Sequence, residues 1–238
     1  MQPGRGRKVF VGGAAVLMVA LLAAAIWVWG SNCIHQAVMR AQRAKNLKTL
    51  YVALVYYADK HGGLPPAHTT NGAGKPMHSW RVLLLPYLDR ESLYSQINLN
   101  EPWDSPANRR FLELMPECYR SPLEAETHGT ATNYFTNYFA VVGAHAPWWS
   151  TEHSKPWETA GSDEILLIEV VGSKTPWMEP RDLTLEELLD MLRPESGNSV
   201  GGSRATDIMY LTVSGDVRTV DSKTDREALQ KLFLGGGK

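Results

Sequence analysis

The first 58 residues contain no aspartate or glutamate, and residues 9–39 carry no lysine or arginine either. Seven of the 24 basic residues (Arg5, Arg7, Lys8, Arg40, Arg43, Lys45 and Lys48) precede the first acid, Asp59. The remainder holds 17 basic against all 25 acidic residues, a balance of −8. A body with that balance has no spare basic face for phosphates, so no nucleic-acid partner is expected.

Cysteine is scarce. Cys33 and Cys118 alone exclude a disulfide scaffold, and no CxxC or Cys/His spacing suggests zinc. In an oxidising compartment the two could pair; otherwise they are free thiols. Nucleophile signatures are missing too: the chain has no G-x-S-x-G, S-x-x-K or H-E-x-x-H. "GAGK" at 72–75 runs into proline and lacks the earlier glycine of a phosphate loop. Of the seven histidines, His68, His78, His145 and His153 are the candidates for a metal cluster. None has helical ligand spacing, and the competing reading is exposed loop histidines. No metal and no cofactor is expected.

What the chain does have is an uncharged run of 21 residues, 9–29, "VFVGGAAVLMVALLAAAIWVW". At about 1.5 Å per residue it spans a hydrocarbon core of about 30 Å. Trp27 and Trp29 stand where an interfacial aromatic belt belongs. A cleaved signal peptide competes, with Ala23-Ala24-Ala25 as its cut site, but such apolar regions are shorter. The reading is an uncleaved signal-anchor of the inner membrane. The cations abutting its start place residues 1–8 in the cytoplasm and the main domain outside.

Beyond the anchor (9–30), Ile34, Val38, Ala41, Leu47, Leu50, Leu54 and Tyr57 recur at helical spacing. They predict an amphipathic helix over 31–60 with its cations on the wet face. Gly30-Ser31-Asn32 is a point where the helix could loosen. His61-Gly62-Gly63 and Pro65-Pro66 end it. The domain at 61–238 then opens on an expected loop, 67–79, followed by a short helix at 80–85 stopped by Pro86 and another turn near 90–96. Strands are expected at 138–143, 165–171 and 208–213, the last turning through Ser214-Gly215-Asp216 into 217–220. Late helices are expected at 185–192, capped by Thr184 and Glu187, and at 225–234. The tandem "TNYFTNYF" at 132–139 is too short a period for a repeat architecture and reads as a lengthened loop or strand. The fold class is α+β: a long N-terminal helix packed on a small antiparallel sheet.

The order of "NLKTLYVALVYYADKHGGLPPA", "SWRVLLLPYLDRESLYSQINLNEPWDSP", "TNYFAVVG", "EILLIEV", "PWMEPRDLTL" and "MYLTVSGDVRTV" resembles the domain of unknown function 1559. That family comprises pilin-like membrane proteins abundant in planctomycete bacteria. The resemblance covers about 40–220 and implies a membrane-anchored, extracytoplasmic, pilin-like fold with no established catalysis. Its structural signature falls on Trp80, Pro86, Pro102, Trp103, Asp104, Trp177, Glu179 and Pro180. The chain departs from the pattern in four places. The prepilin site with its intramembrane glutamate is absent, Arg204 and Ser214 stand where the closing His and Asp belong, Arg43 replaces a cysteine before "NLK", and Cys118 is offset from "CPS".

Three functions remain in view. The first is a non-enzymatic envelope protein acting through protein partners. The second is a glycan- or surface-polymer-binding module that uses Trp148 and Trp149, which lie in a loop without a periodic core role. The third is a hydrolase built on carboxylates among Glu101, Asp104, Glu169 and Glu179. For Trp80, Trp103 and Trp177, packing at tight corners is the expectation.

Overall fold

The computed structural model describes residues 7–124, 134–143, 146–148, 161–191, 207–221, 227 and 230–231. The chain divides into two compact units, residues 1–42 and 43–238. Helix α1 (Arg7–His61) contributes to both.

In the first unit the described side chains of the apolar run, from Val16 to Trp29, are exposed. This helix is long and apolar enough to cross a membrane, and none of its most apolar stretch is covered by protein. Helix geometry continues through Gly30-Ser31-Asn32. There the Ser31 hydroxyl donates to the Val28 carbonyl at 3.0 Å, so the expected loosening does not occur. Ile34 and Val38 are exposed and do not continue the buried stripe predicted for them.

In the second unit, α1 buries Arg43, Asn46, Leu47, Leu50, Ala53, Leu54 and Ala58. The apolar spacing there is as expected, but the cation Arg43 lies on the dry side rather than the wet one. Gly62 ends the helix in the left-handed region (φ 78°). Its N–H bonds back to the Ala58 carbonyl at 2.8 Å.

Segment 67–79, expected to be loop, forms a two-stranded ribbon of β1 (His68–Thr70) and β2 (Pro76–Ser79). Strand alternation is invisible there because β1 has only three residues and β2 buries three in a row, Met77, His78 and Ser79. Ser79 then caps α2 (Trp80–Leu83) by accepting from the Arg81 N–H. Pro86 does not simply stop this helix. It occupies the first turn of a 3-10 helix, Leu85–Leu88, where its missing N–H is tolerated. Helices α3 (Glu91–Tyr94) and α4 (Pro106–Arg109) follow.

A short pair of β3 (Phe135–Thr136) and β6 (Thr175–Pro176) flanks the main sheet. That sheet joins β4 (Tyr138–Val142), β5 (Ile165–Glu169), β7 (Leu183–Thr184), β8 (Asp207–Thr212) and β9 (Val217–Asp221) in the order β7-β4-β5-β8-β9. All pairings are antiparallel except β4–β7. Alternation sends Tyr138, Ala140, Met209 and Leu211 to the α1 side. Phe139, Val141, Ile208 and Tyr210 go to the other side, which α5 (Leu185–Met191) covers with Leu188 and Leu189. A register shift between Ile165 and Leu167 lets Leu166 and Leu167 both face α1. The Thr184–Glu187 capping box is present, each residue's side chain accepting from the other's N–H. The fold is therefore α+β with an N-terminal helix. The helix expected at 225–234 lies outside the described residues apart from Glu227, Gln230 and Lys231.

Candidate functional site

The most polar part of the interior is the seam between α1 and the sheet. Arg43 is 4% exposed and Glu169 2%. The Arg43 Nε donates to Glu169 Oε2 at 2.6 Å, while Nη1 and Nη2 reach the side chain and carbonyl of Asp207 at 3.1 and 3.2 Å. Tyr138 donates its hydroxyl to the other Glu169 oxygen at 3.2 Å. One turn along α1, Asn46 donates to the Arg120 carbonyl at 2.7 Å and to the Tyr138 hydroxyl at 3.3 Å. Burial pushes the Glu169 carboxyl above the usual carboxylate range, with the Arg43 charge pulling against it. Burial also holds the Tyr138 phenol well above its ordinary value.

Further along, Lys48 donates to the Gly215 carbonyl and Tyr51 to the Val213 carbonyl at 3.4 Å. Gly215 has φ 85°, and a Cβ there would lie 2.6 Å from the Tyr51 ring. The β8–β9 turn therefore needs glycine both for its backbone and for its approach to α1.

A second buried cation organises the corner. Arg81 is fully buried, its guanidinium between the Trp80 and Phe139 rings at 4.7 and 5.0 Å. It donates to Ser79 Oγ (2.6 Å), twice to the Tyr138 carbonyl (3.0 and 2.7 Å) and to Asp182 Oδ1 (3.0 Å). The same Asp182 oxygen accepts from the Trp80 indole at 3.0 Å and the Ala140 N–H at 2.8 Å. Burial raises the Asp182 carboxyl against these three donors. Around it, the Trp103 backbone N–H donates to the Met77 carbonyl at 3.0 Å. Asn108 ties the loop by donating to the carbonyls of Asn98, Glu101 and Pro102 and accepting from the Asn98 N–H.

These placements settle several expectations. Trp148 is not a surface recognition residue: it is fully buried, tilted against Trp80, and donates its indole N–H to the Pro65 carbonyl at 2.7 Å. Its loop position concealed that it fills the core beneath the end of α1. Its neighbour Trp149 lies outside the described residues. Trp80 and Trp177 are fully buried, the latter stacked on Tyr119 at 6.0 Å. Pro86, Pro102, Trp103, Glu179 and Pro180 are half-buried and Asp104 is exposed. Cys33 is an exposed free thiol of the first unit and Cys118 a half-buried free thiol of the second. Desolvation pushes the Cys118 thiol up to about 12, which leaves it unreactive near neutral pH.

Glu101, Asp104, Glu169 and Glu179 do not form one cluster. Glu169 belongs to Arg43, whereas Glu101 accepts from the Asn98 amide at 3.1 Å. Glu179 is raised by burial, and the Asp104 charge adds to the rise. His78 is fully buried and its Nε2 meets the Glu101 carbonyl at 2.8 Å; His145 and His153 lie outside the described residues. No group of His, Cys, Asp and Glu suited to a metal occurs among the described residues.

Sequence reasoning missed Arg43, Asn46, Arg81, Asp182 and Asn108. Arg81 carried one signal, a charge set inside an otherwise apolar and aromatic segment, whereas Asp182, next to Glu179 and Arg181, carried none. Chemically, acid, phenol and guanidinium in the seam face one another with almost no solvent access, so the arrangement fixes the register of α1 on the sheet. It offers no open face to a substrate.

The architecture is that of an α+β protein with one candidate membrane-spanning helix and an internally neutralised polar core. The chain belongs to the family described as protein of unknown function (DUF1559), whose model matches residues 36–164. No curated protein and no solved structure matches it.

Proposed function

We propose that this is a single-span, pilin-like protein of the inner membrane whose α+β unit lies outside the cytoplasm and acts through protein contacts rather than catalysis. The observation that carries this reading is how α1 divides its residues. Its buried polar groups, Arg43 and Asn46, are committed to its own sheet and the neighbouring Arg120 carbonyl, while Val52 and Tyr56 stay exposed (49% and 61%). Val52 and Tyr56 lie one turn apart on α1, so their exposed apolar surfaces adjoin on one face that a protein partner would cover. The cations at Arg5, Arg7 and Lys8 before the apolar run support an inside N-terminus. With Trp148 buried, the glycan reading loses half of its proposed pair.

Reporter enzymes fused after Lys238 test the topology. A periplasm-dependent reporter is expected to be active and a cytoplasm-dependent one silent; the reverse pattern overturns the placement. A photo-cross-linking residue at Val52 or Tyr56 tests the contact surface, with protein adducts expected in intact membranes. Failure to form adducts at either position removes the basis for a contact role.

A further inference from the structure

The main sheet ends on one side at β9, and the strand register shows what that edge leaves open. The Thr212 N–H donates to the Asp216 carbonyl at 3.0 Å, which makes these two residues a hydrogen-bonded pair. Bonded and unbonded pairs alternate along an antiparallel ladder. Arg218 and Val220, opposite Tyr210 and Ile208, therefore turn their backbone groups to β8. Val217 and Thr219, opposite Leu211 and Met209, turn theirs outward. Among the described residues no strand borders β9 on that side, and neither Val217 nor Thr219 has another backbone partner.

Proteins usually blunt such an edge with proline, a bulge or a free charge. β9 has five residues, no proline and no shift in its register with β8. Its one cation is not free: Arg218 Nη2 reaches Asp163 at 2.8 Å and Asp216 at 3.3 Å. Asp221 at the end of the strand adds a third carboxylate, while Lys48 at the turn donates to the Gly215 carbonyl. The edge is therefore acidic, as is the chain beyond residue 58.

A second copy is the wrong occupant. α1 runs alongside β8, from the Arg43–Asp207 contact at its start to the Tyr51–Val213 contact past its end. A two-fold axis through Thr219 would pair β9 with β9 and reverse α1. Two chains anchored as proposed above could not then share one bilayer. Head-to-tail extension fails too, because the opposite edge, β7, is only two residues long.

We propose that β9 is a docking edge for an extended, basic segment of a partner protein, which adds a strand to the sheet. The segment pairs with the outward N–H and C=O groups of Val217 and Thr219, and its cations meet the Asp163, Asp216 and Asp221 carboxylates. The backbone bonds give affinity and the charges select the sequence. This edge shares no residue with the Val52–Tyr56 face of α1, so a failed cross-link there leaves it standing.

The test is fluorescence anisotropy of the detergent-solubilised full chain with a fluorescein-labelled peptide that alternates lysine and valine. Saturable one-to-one binding is expected, about tenfold weaker when glutamate replaces lysine and lost when every peptide N–H is methylated. Thr219→Pro removes the central outward N–H but keeps the β8 pairing, and should weaken binding about tenfold. Thermal melting checks its fold. Should it fail to fold, Asp163→Asn at an exposed side chain should weaken binding of the lysine peptide about threefold. Hydrogen exchange resolved residue by residue reads the geometry directly. The Arg218 and Val220 amides should be slow in the free chain, and those of Val217 and Thr219 should slow only with peptide bound. No saturable binding, equal binding of the glutamate peptide, or binding that Thr219→Pro or Asp163→Asn leaves unaltered overturns the proposal. So does protection of Val217 and Thr219 in the free chain, because the edge would then be covered by the chain itself or by a second copy.

Discussion

Arg43 and Arg81 are both buried arginines paired with buried carboxylates, yet they serve different joints. Arg81 ties the corner after β2 to the sheet and has a single carboxylate partner, Asp182, whose side chain is 4% exposed. Arg43 ties α1 to the strands β5 and β8 and has two carboxylate partners, Glu169 and Asp207, the latter 20% exposed. The lesson is redundancy. Removing one partner from a buried pair leaves a charge without compensation, and that penalty depends on whether a second partner or water is at hand. The helix joint has both, and the corner joint has neither.

The largest expected effect follows from that contrast. Asp182→Ala strands the Arg81 guanidinium, the Trp80 indole and the Ala140 N–H together and should cost about 3–5 kcal/mol of unfolding free energy. Glu169→Ala should cost about half as much, because Asp207 keeps Arg43 paired. Urea unfolding of the two variants measures this, and equal losses would break the distinction between the joints.

The helix joint has its own weak point in the β8–β9 turn. Gly215→Ala places a Cβ 2.6 Å from the Tyr51 ring at a positive φ, with an expected cost of about 1–3 kcal/mol. Tyr51→Ala in the same chain relieves the clash but not the backbone strain. The double variant should therefore lose less than the sum of the singles. Strict additivity in thermal unfolding would show that Tyr51 does not press on the turn.

These joints mark where the sequence was readable and where it was not. Strands β4, β5 and β8 were legible as short, nearly continuous apolar runs buried along their length, and the Ser214-Gly215-Asp216 turn announces the hairpin into β9. The Thr184–Glu187 cap was legible because both partners are local. The β1–β2 ribbon was hidden by its glycines and short strands. The burial of Arg43 was hidden because an isolated cation on an amphipathic helix normally faces water, and its partners lie 126 and 164 residues away. Trp148 misled for the same reason: its partner is the Pro65 carbonyl, 83 residues distant. Trp80 and Trp177 were legible as packing residues from their apolar and proline neighbours, whereas Trp148 had no such local signal for its burial.

The smallest expected effect probes the corner joint through pH. His78 lies three positions before Arg81, with Nδ1 buried without a hydrogen-bond partner and Nε2 on the Glu101 carbonyl. Burial lowers its pKa below the ordinary 6.5, against the pull of the Glu101 and Asn98 carbonyls. The unfolded chain then binds the proton more readily than the folded one. His78's contribution is complete above pH 6.5 and is lost as pH falls from there through the folded value. Glu169 and Asp182 have the opposite sign: with raised folded pKa values, the folded state takes up their protons first, which favours it as pH falls. The two trends oppose each other in the wild-type chain. His78→Gln retains a donor for the Glu101 carbonyl and removes only the imidazole titration. Between about pH 7 and about pH 5 the melting temperature of the wild type should fall relative to that of the variant. Parallel profiles would mean that the corner tolerates a charged His78, and that its dryness is less complete than the Arg81 geometry requires.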